Sequence, residues 1–414
     1  MGVTRREFIG AAAGAAAMAG SSGGLRAQDR KPLRVGLCGC GGRGTGAAYN
    51  VLEADPNVEI VALADLFADR LASCRGALEN KKDPRVKIVD ARCFTGFDAY
   101  KRLFDTDVDY VMLCEPPGFR PLHFEAAVEA GKHCFLEKPG CVDPAGARRL
   151  ISAGEKARQK NLGVHCSTEN RHDWRIAATV KKLHEGAVGP IVSGRVFFNT
   201  GPIWRYDRKP GMSDMEWQCR NWYYFDWLSG DHIVEQHVHE LDLCNWVLKA
   251  NPVSATAVGG RTVRTEPVIY GNIWDHFAVD FEYPGGVHIL SHCRQWEGAD
   301  GQRAAFFAGS NGEAELYSGV ITGKAAWKYV GPYKDPNTVE HADFIASIRS
   351  GKPYNQARQL AESTLVGIMG RTAAYTGKTV TWEQIVNSPQ DYSPPKYEFG
   401  PLPVRPVPVP GRTT

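Results

Sequence analysis

The stretch that decides the fold is Leu33-Arg-Val-Gly-Leu-Cys-Gly-Cys-Gly-Gly-Arg-Gly44, in which a short apolar run ends in a turn of the form Gly-x-Gly-x-x-Gly. A segment compatible with a helix follows, and a second apolar run, Val58 to Ala64, ends in Asp65. Strand, glycine turn, helix, strand and acid is the order that a dinucleotide-binding βαβ unit requires. The sequence therefore predicts a Rossmann-type nucleotide site over residues 33–65.

Each glycine of the turn has its own expected role. Gly39 permits the tight turn, Gly41 lets backbone N–H groups approach a pyrophosphate, and Gly44 lets the helix pack closely on the strand. The helix N-terminus attracts the phosphate charge. Asp65 would accept hydrogen bonds from ribose hydroxyls and repel a 2′-phosphate, which favours NAD over NADP. Arg70 lies close enough in sequence to weaken that preference.

The composition is that of a globular protein without a strongly charged partner. Of the 414 residues, 43% are hydrophobic and 23% are charged, and this length is enough for two domains. The net charge is +3, and residues 1–27 supply part of it. A charge this small gives no indication of nucleic acid or of an acidic membrane surface as a partner.

Residues 1–27 resemble a twin-arginine export signal. Thr4-Arg5-Arg6-Glu7-Phe8-Ile9 carries paired arginines, a weakly apolar segment follows up to Ala19, and Ala27 offers a cleavage point. The resemblance implies recognition by the twin-arginine export machinery and a periplasmic location. The alternative is a cytoplasmic protein with an Ala-rich terminus. No segment is long and apolar enough to predict a membrane-spanning helix.

The eleven cysteines are predicted to be thiols. Their number is odd and no Cys-x-x-Cys pair occurs, while Cys38, Cys114, Cys134 and Cys166 lie in or beside strand-like apolar runs. Such cysteines behave as small buried hydrophobic residues. Folding in a reducing cytoplasm before export would keep them reduced.

Residues 30–160 alternate apolar runs with amphipathic stretches, which predicts an α/β domain with a doubly wound parallel sheet. The predicted strands are 33–38, 58–64, 87–90, 109–114, 133–136 and 162–166. The predicted helices are 45–54, 67–79, 97–104, 121–130 and 144–159. Ligands of such sheets lie at the carboxyl ends of the strands, which is where the glycine turn occurs.

The pattern changes in residues 161–384, which we predict to be a second α/β domain with a large open, mostly antiparallel sheet. Its expected strands are Val192–Asn199, Val253–Val263, His276–Glu282, Gly286–Gln295 and Phe306–Glu315. Its expected helices are 231–248, 337–350 and 357–376, and we expect the last two to pack back on the first domain. Residues 385–414 are predicted to be a proline-rich extended tail that either wraps a neighbouring subunit or is loose.

The first candidate for chemistry is Glu137-Lys138-Pro139, directly after the predicted strand 133–136. This position places Lys138 at the carboxyl edge of the sheet, near the nicotinamide end of a bound dinucleotide. Pro139 restricts Lys138 to extended geometry. There the lysine would hydrogen-bond a substrate hydroxyl and help to pass its proton, whereas in an ordinary turn it would be a surface lysine.

The second candidate is the predicted helix that carries His232, Glu235, His239 and Asp242. These residues are spaced 3, 4 and 3 apart, so one helical face would hold two imidazoles and two carboxylates. His239 would act as a base toward a substrate hydroxyl, with Glu235 orienting it and stabilising its cation. A metal site is the competing interpretation, but the spacing matches no zinc motif, and we predict no metal.

The third candidate is a set of eight aromatic residues with interleaved arginines between residues 204 and 227. Flat rings beside polar groups suit a sugar, whose C–H faces pack on rings while its hydroxyls find hydrogen-bond partners. Nucleic acid uses similar ingredients, but the small net charge opposes it. Core packing or a subunit interface is the remaining explanation for these rings.

The ordered set of motifs resembles the Gfo/Idh/MocA oxidoreductase family. The motifs are the glycine turn, Asp65, Ala130-Gly131-Lys132-His133 leading into Glu137-Lys138-Pro139, Glu235-x-x-x-His239-x-x-Asp242, and Tyr375-Thr376-Gly377-Lys378. The resemblance implies a Rossmann domain, a C-terminal α/β domain, NAD(P), and hydride transfer at a sugar or cyclitol hydroxyl. It also implies a homodimer or homotetramer.

The resemblance assigns roles to individual positions. Lys138 and His239 would be the catalytic pair with Glu235 beside them, although the family usually has Asp at that last position. The expected nucleotide contacts are Gly39, Cys40, Gly41, Gly42, Arg43, Gly44, Asp65, Cys114, Pro116, His123, Glu137 and Lys138. The expected substrate contacts are Arg171, His172, Trp204, Arg220, Trp222, Tyr223 and Asp242.

Export constrains the reaction, because little free NAD is present outside the cytoplasm to renew the cofactor. We therefore expect a redox-neutral cycle on a tightly held nucleotide, in which a sugar, glycoside or cyclitol hydroxyl is oxidised. An NAD-dependent glycosidase that acts by transient oxidation and elimination is the second hypothesis. A sugar-binding protein without turnover is the third, and the presence of Lys138 and His239 argues against it.

Overall fold

The computed structural model describes residues 31–412, and the predicted export signal at residues 1–27 lies outside the described residues. Six parallel strands form the first sheet: β1 Leu33–Cys38, β2 Val58–Asp65, β3 Cys93–Thr95, β4 Tyr110–Leu113, β5 His133–Glu137 and β6 Val164–Ser167. Their order is β3-β2-β1-β4-β5-β6. The glycine turn follows β1 at the point where the winding reverses, which is where doubly wound sheets bind ligands.

Both faces of the first sheet are covered. Its helices are α1 Gly42–Ala54, α2 Ala68–Glu79, α3 Ala99–Phe104, α4 Arg120–Glu129 and α5 Pro144–Gln159. Alternate residues of β4 enter different hydrophobic clusters, Tyr110 and Met112 on one face and Val111 and Leu113 on the other. A strand buried on both faces must be apolar throughout, as β4 is. The predicted doubly wound sheet is confirmed.

The second sheet is mixed and mostly antiparallel, as predicted. Its strands are β7 Ile191–Thr200, β8 Ser254–Gly260, β9 His276–Tyr283, β10 Val287–Gln295, β11 Gln302–Gly309, β12 Gly312–Glu315, β13 Val320–Gly323, β14 Trp327–Lys328 and β15 Val380–Thr381. Their order is β14-β13-β12-β11-β7-β10-β9-β8-β15. Among these described strands, β7 and β10 are the one parallel pair. Burial alternates along β9, which is typical of a sheet with one covered face.

The predicted helix 231–248 is wrong in one respect, because two helices occupy this range. The helices of this part are α6 Trp174–His184, α7 Asp214–Arg220, α8 Asp226–Ser229, α9 His232–Glu235, α10 Val238–Leu248, α11 Pro267–Tyr270, α12 Pro336–Arg349, α13 Ala357–Thr376 and α14 Trp382–Asn387. Between α9 and α10 the His237 N–H bonds to the His232 carbonyl at 3.1 Å, and the His237 ring lies 2.6 Å from Ser291 Oγ. This long-range contact accompanies the break.

Two predicted strands also differ from the structure. Residues 87–90 form no strand; Val86 makes an isolated bridge to Ile60, and the edge strand is β3 instead. Residues 306–315 are a hairpin of β11 and β12 with Ser310 and Asn311 at its turn. At Ser310 and Asn311, turn residues interrupt an apolar run that looked continuous in sequence.

Helices from the end of the chain pack back on the first sheet's helices. The Arg349 guanidinium of α12 pairs with Asp55 and donates to the Asn57 carbonyl at 2.7 Å. Asn50 of α1 donates to Asp335 Oδ2 at 3.2 Å. The longer helix α13 is buried along most of its length, and Arg371 within it donates to the carbonyls of Val142 and Gly230.

The tail is extended but not loose, which corrects one prediction. The Tyr392 N–H donates to Asp143 Oδ2 at 2.7 Å, and the Tyr392 ring is buried. Leu402 exchanges hydrogen bonds with residues of α7. The described tail therefore packs against its own chain.

Within residues 31–412, no helix combines the length and apolar character needed to cross a membrane.

All eleven cysteines lie in this range as free thiols, as predicted, and nine of them are buried.

Candidate active site

The glycine turn has no room for side chains at two positions. Gly39 has a φ of +93°, and a Cβ there would lie 2.4 Å from the Glu115 backbone nitrogen. A Cβ at Gly44 would lie 1.9 Å from the Gly39 carbonyl oxygen. The close approach of α1 to β1 therefore requires glycine at residue 44, the role expected for it.

Gly44→Ala is expected to destabilise the fold by about 1–3 kcal/mol, because backbone atoms must move to admit the methyl group. Gly46→Ala is a matched control in the same helix, since a Cβ there meets nothing within 4 Å. That control should be neutral or slightly stabilising, as expected for alanine in a helix. Chemical denaturation of both variants measures the difference, and equal stabilities would contradict the steric argument.

Asp65 is held in place by backbone groups. Its Oδ2 accepts a hydrogen bond from the Cys40 N–H at 2.7 Å, and its Oδ1 accepts one from the Phe67 N–H at 2.8 Å. Burial raises the pKa of Asp65, with these two bonds and the charge of Arg70 acting in the opposite direction. The carboxylate is fixed at the end of β2, next to the glycine turn.

A cavity of about 510 Å³ begins at the glycine turn. The predicted nucleotide contacts that line it are Gly39, Gly41, Gly42, Arg43, Gly44, Asp65, Cys114, Pro116 and His123. Cys40, Glu137 and Lys138 are not among its lining residues. The Cys40 thiol instead points to the Ala64 carbonyl at 3.6 Å.

Glu137 supports Arg43 rather than facing the cavity. It is 4% exposed and pairs with the Arg43 guanidinium, which also lies 3.3 Å from the buried Glu340 carboxylate. Arg43 Nη2 donates to Ser167 Oγ at 3.2 Å. This buried network joins the glycine turn to the ends of β5 and β6. Lys138, the residue after Glu137, therefore has its backbone close to the cavity.

Cys38, Glu115 and His123, which line the cavity, form a polar cluster. The His123 ring stacks on Tyr100 at 4.0 Å, and its Nδ1 lies 3.7 Å from Cys38 Sγ and 3.4 Å from Glu115 Oε1. Cys38, Glu115 and His123 are the one set of described residues whose ligand atoms lie close enough together to hold a metal ion. Neither Glu115 oxygen has a hydrogen-bond partner within the described part of the chain. The Glu115 carboxylate thus lies beside His123 in the lining of the cavity.

Lys138 lies at the end of β5 and points toward α9. Its Nζ donates to the Glu235 carbonyl at 2.6 Å and to Glu235 Oε1 at 2.9 Å. Both side chains are largely buried. The prediction that Glu235 orients His239 is therefore corrected, because the break between α9 and α10 turns Glu235 toward the lysine.

His239 has a different carboxylate partner, Glu169, which the sequence analysis did not select. Glu169 Oε2 lies 3.1 Å from His239 Nδ1. Burial opposes ionisation of Glu169, but the charges of His239, Arg303 and Lys138 outweigh it and lower the pKa of Glu169 to about 2. The carboxylate is thus placed between the lysine and the histidine. Its position directly after β6 was a usable signal, since it follows the same rule as Lys138 after β5.

Arg303 completes the cluster from the second sheet. Its Nη2 lies 3.7 Å from Glu169 Oε1, and its Nε donates to the fully buried Glu240 at 3.0 Å. The Tyr317 hydroxyl also donates to Glu240. No local pattern in the sequence pointed to these residues, because β11 and the turn after β12 bring them to α10 only in the folded chain.

Four of the predicted substrate contacts are engaged within the protein. Asp242 has no accessible surface and accepts hydrogen bonds from Arg171 at 2.7 and 2.9 Å. His172 pairs with Asp343 at 2.8 Å. Tyr223 is 3% exposed, and its hydroxyl accepts a bond from Gln295 at 2.8 Å. Asp242 and Tyr223 are thus supporting residues, because burial removes them from contact with a ligand.

The remaining predicted substrate contacts, Trp204, Arg220 and Trp222, line the nucleotide cavity instead. Their neighbours in the aromatic segment are mostly core residues: Trp217, Tyr223, Tyr224, Phe225 and Trp227. The alternative metal site on one helical face is not formed either. Within residues 31–412, His232, Glu235, His239 and Asp242 do not converge on a common point.

Two sequence models of one family match consecutive parts of the chain. The first, described as an oxidoreductase family with an NAD-binding Rossmann fold, matches residues 33–165. The second, described as the GFO/IDH/MocA C-terminal domain, matches residues 176–315.

Curated relatives match part of the chain at modest identity. Glycosyl hydrolase family 109 protein 5 of Phocaeicola vulgatus is 29% identical over 196 residues, which is 46% of this chain and 36% of the relative. Inositol 2-dehydrogenase of Paracoccus denitrificans is 24% identical over 62% of this chain and 66% of the relative. The matched regions thus span only about a third to two thirds of these relatives.

Solved structures share the fold across most of the chain. Myo-inositol 2-dehydrogenase from Lactobacillus plantarum has a TM-score of 0.65 at 19% identity, covering 85% of this chain and 99% of its own. Aldose-aldose oxidoreductase from Caulobacter crescentus has a TM-score of 0.65 at 16% identity, covering 85% and 100%. With both domain models of one family matched in order, the chain belongs to the Gfo/Idh/MocA oxidoreductases.

Proposed function

We propose that this protein is an NAD-dependent oxidoreductase that transfers a hydride between a carbohydrate-like hydroxyl carbon and a retained nicotinamide nucleotide. The observation that carries the proposal is the cluster of Lys138, Glu235, Glu169 and His239 at the carboxyl edge of the first sheet. The Arg43–Glu137 pair connects this cluster to the nucleotide cavity. Family membership and relatives named as inositol dehydrogenases support the same class of reaction.

The residues present fit a dinucleotide. The glycine turn offers backbone N–H groups and a helix N-terminus for phosphates, and Asp65 offers a fixed carboxylate for ribose hydroxyls. The Glu115 carboxylate, which lines the cavity beside His123, offers a further acceptor. When bound, the nicotinamide supplies a hydride acceptor or donor.

Proton movement falls to the chain's own side chains. The Lys138 ammonium donates a hydrogen bond to the oxygen of the reacting carbon, and Glu235 holds the ammonium in position. Glu169 keeps a proton on His239 Nδ1, which leaves Nε2 free to accept the proton of the hydroxyl. Among the described residues, Nε2 has no hydrogen-bond partner that would block this role.

The substrate class is tested with the purified full chain and a panel of sugars, cyclitols and aryl glycosides. A keto product supports the proposed oxidoreductase. A freed aglycone indicates the glycosidase reaction, a class named among the relatives. The absence of both products would leave a binding protein and contradict the proposal.

We also propose NAD rather than NADP as the nucleotide, because the fixed Asp65 carboxylate repels a 2′-phosphate. Acid denaturation of the purified protein should release NAD or NADH, identified by chromatography against standards. NADP(H) as the main product would contradict this assignment.

Export by the twin-arginine route to the periplasm, and assembly as a homodimer or homotetramer, are further proposals. Paired Arg5 and Arg6 before a weakly apolar segment support the first, and resemblance to family members supports the second. Cell fractionation with an Arg5→Lys, Arg6→Lys double variant, and light scattering of the purified protein, test them.

A further inference from the structure

Two segments from outside the nucleotide domain complete the wall of the nucleotide cavity. Trp204, Tyr206, Arg220 and Trp222 line it from the stretch around α7, and Tyr397 lines it from the tail. They face the same cavity as the glycine turn and Asp65. The cavity therefore has a second half built by residues that lie far from the first half in sequence.

Phe67, directly after β2, is the point where both segments meet the nucleotide domain. The Arg220 guanidinium lies 3.9 Å from the Phe67 ring centre, and Arg220 also pairs with Asp69 at 3.1 Å. Phe399 of the tail stacks on the same ring at 5.9 Å and meets Phe97 edge-on at 5.0 Å. Arg70 adds a contact to the Tyr206 ring at 4.7 Å.

The two segments are also fastened to each other. The Met215 N–H donates to the Gly400 carbonyl at 3.1 Å, and Gln218 Nε2 donates to the Leu402 carbonyl at 2.6 Å. In the other direction, the Leu402 N–H donates to Asp214 Oδ2 at 3.0 Å. Because α7 and the tail share three hydrogen bonds, moving one away from the cavity disturbs the other.

The tail is anchored on either side of this stretch. Before it, Tyr392 donates its backbone N–H to Asp143. Arg405, which follows the stretch, places its guanidinium 3.5 Å from the centre of the Tyr392 ring. After it, the Gly411 N–H donates to the Thr376 carbonyl at 3.0 Å. The covering stretch is therefore held at both ends on the same chain.

We propose that residues 203–222 and 396–402 act together as a strap that retains the dinucleotide through successive reactions. Aromatic rings and a guanidinium pack well on a planar base, and the contacts at Phe67 join the two halves of the cavity wall. The effect falls on the dissociation rate. This inference rests on the proposed function and adds how the nucleotide is kept.

Retention determines how the redox chemistry must balance. A bound nicotinamide would accept a hydride from a hydroxyl-bearing carbon, whose oxygen would lose its proton to the protein. If the nucleotide stays bound, that hydride would return to a carbonyl carbon of the same or a second carbohydrate, whose oxygen would take up a proton. No external acceptor would then be consumed.

The test measures the rate at which the full-length protein releases bound NADH. NADH fluorescence is followed after excess NAD is added as a trap. Phe399→Ala, Arg220→Gln and their combination remove the contacts with Phe67. Phe399 does not line the cavity, so its effect reports on fastening rather than on direct ligand contact. Lys396→Ala is the matched control in the same tail, since its partner is the exposed Glu398.

The double variant should release NADH about tenfold faster than wild type, with unchanged thermal stability in each single variant and a wild-type rate for Lys396→Ala. Equal release rates in protein that binds NADH would overturn the strap and leave the proposed function standing. A wild-type protein that neither contains nor binds NAD(H) would overturn the proposed function itself, and the strap with it.

Discussion

Replacement of Lys138 by methionine is expected to lower kcat by about 10²- to 10⁴-fold while NAD(H) stays bound at wild-type stoichiometry. Methionine keeps most of the stem's volume but cannot donate a hydrogen bond to the reacting oxygen. Lys138 lies outside the lining of the nucleotide cavity, so nucleotide retention should not change. Turnover is measured on the panel substrate that gives a keto product, and bound nucleotide is measured by release on denaturation.

A second variant separates chemistry from charge burial. Lys138→Met leaves the Glu235 carboxylate, which is only 13% exposed, without its cation. A buried unpaired charge destabilises a protein, so part of any loss could come from the fold. The Lys138→Met, Glu235→Gln double variant removes both charges. We expect it to recover thermal stability and to remain inactive.

Lys132→Met is the matched control, because Lys132 precedes β5 at the end opposite to Lys138. Its ammonium donates to the carbonyls of Thr106 and Val108 at 2.8 and 2.9 Å. Its replacement should cost stability of about 1 kcal/mol without affecting kcat. Turnover of Lys138→Met within twofold of wild type would show that the lysine has no part in the reaction.

The nucleotide site was predictable because its causes are local. The steric limit at Gly44 comes mainly from the Gly39 carbonyl of the same βαβ unit. Asp65 is fixed by the N–H groups of Cys40 and Phe67, one in the glycine turn and one two residues further along. Because these residues lie within a short stretch of chain, their pattern in the sequence was enough to predict the geometry of the glycine turn and Asp65.

The catalytic cluster was only partly predictable, because its pairings cross between distant segments. Helical spacing placed Glu235 one turn before His239, but the turn at His237 and its contact with Ser291 end that register. Instead, Lys138 pairs with Glu235, and Glu169 pairs with His239. Periodicity cannot anticipate a helix break that depends on a strand more than 50 residues away.

The aromatic segment shows a different limit. Its composition suggested a sugar site, and part of it is core, as the alternative interpretation held. The position of this segment in the fold could not be predicted from its own sequence. Arg220 lines the cavity while it contacts Asp69 and Phe67, which are about 150 residues away. The packing of the proline-rich tail was unpredictable for the same reason, since its partners include residues of α7.

Glu169→Gln should lower kcat about 10- to 100-fold while NAD(H) stays bound at wild-type stoichiometry. The carboxylate lies 3.1 Å from His239 Nδ1. Without it, the cation formed when His239 accepts the substrate proton is less stable, so the maximum rate falls.

Glu169 is present as the carboxylate in the wild type. Burial opposes its ionisation, but the neighbouring charges lower the pKa of Glu169 to about 2, so it is already ionised above that pH. Glu169→Gln therefore removes a negative charge beside the imidazole rather than a proton donor.

His239→Gln removes the proton acceptor and should lower kcat by about 10²- to 10⁴-fold. If Glu169 acts only through His239, adding Glu169→Gln to this variant costs nothing further, because residues that act as a unit are not additive. Glu313→Gln is the control, since Glu313 pairs with Arg195 on the exposed side of the second sheet and should leave kcat unchanged. A Glu169→Gln, His239→Gln double variant with a kcat clearly below that of His239→Gln would mean that Glu169 acts on something other than the base.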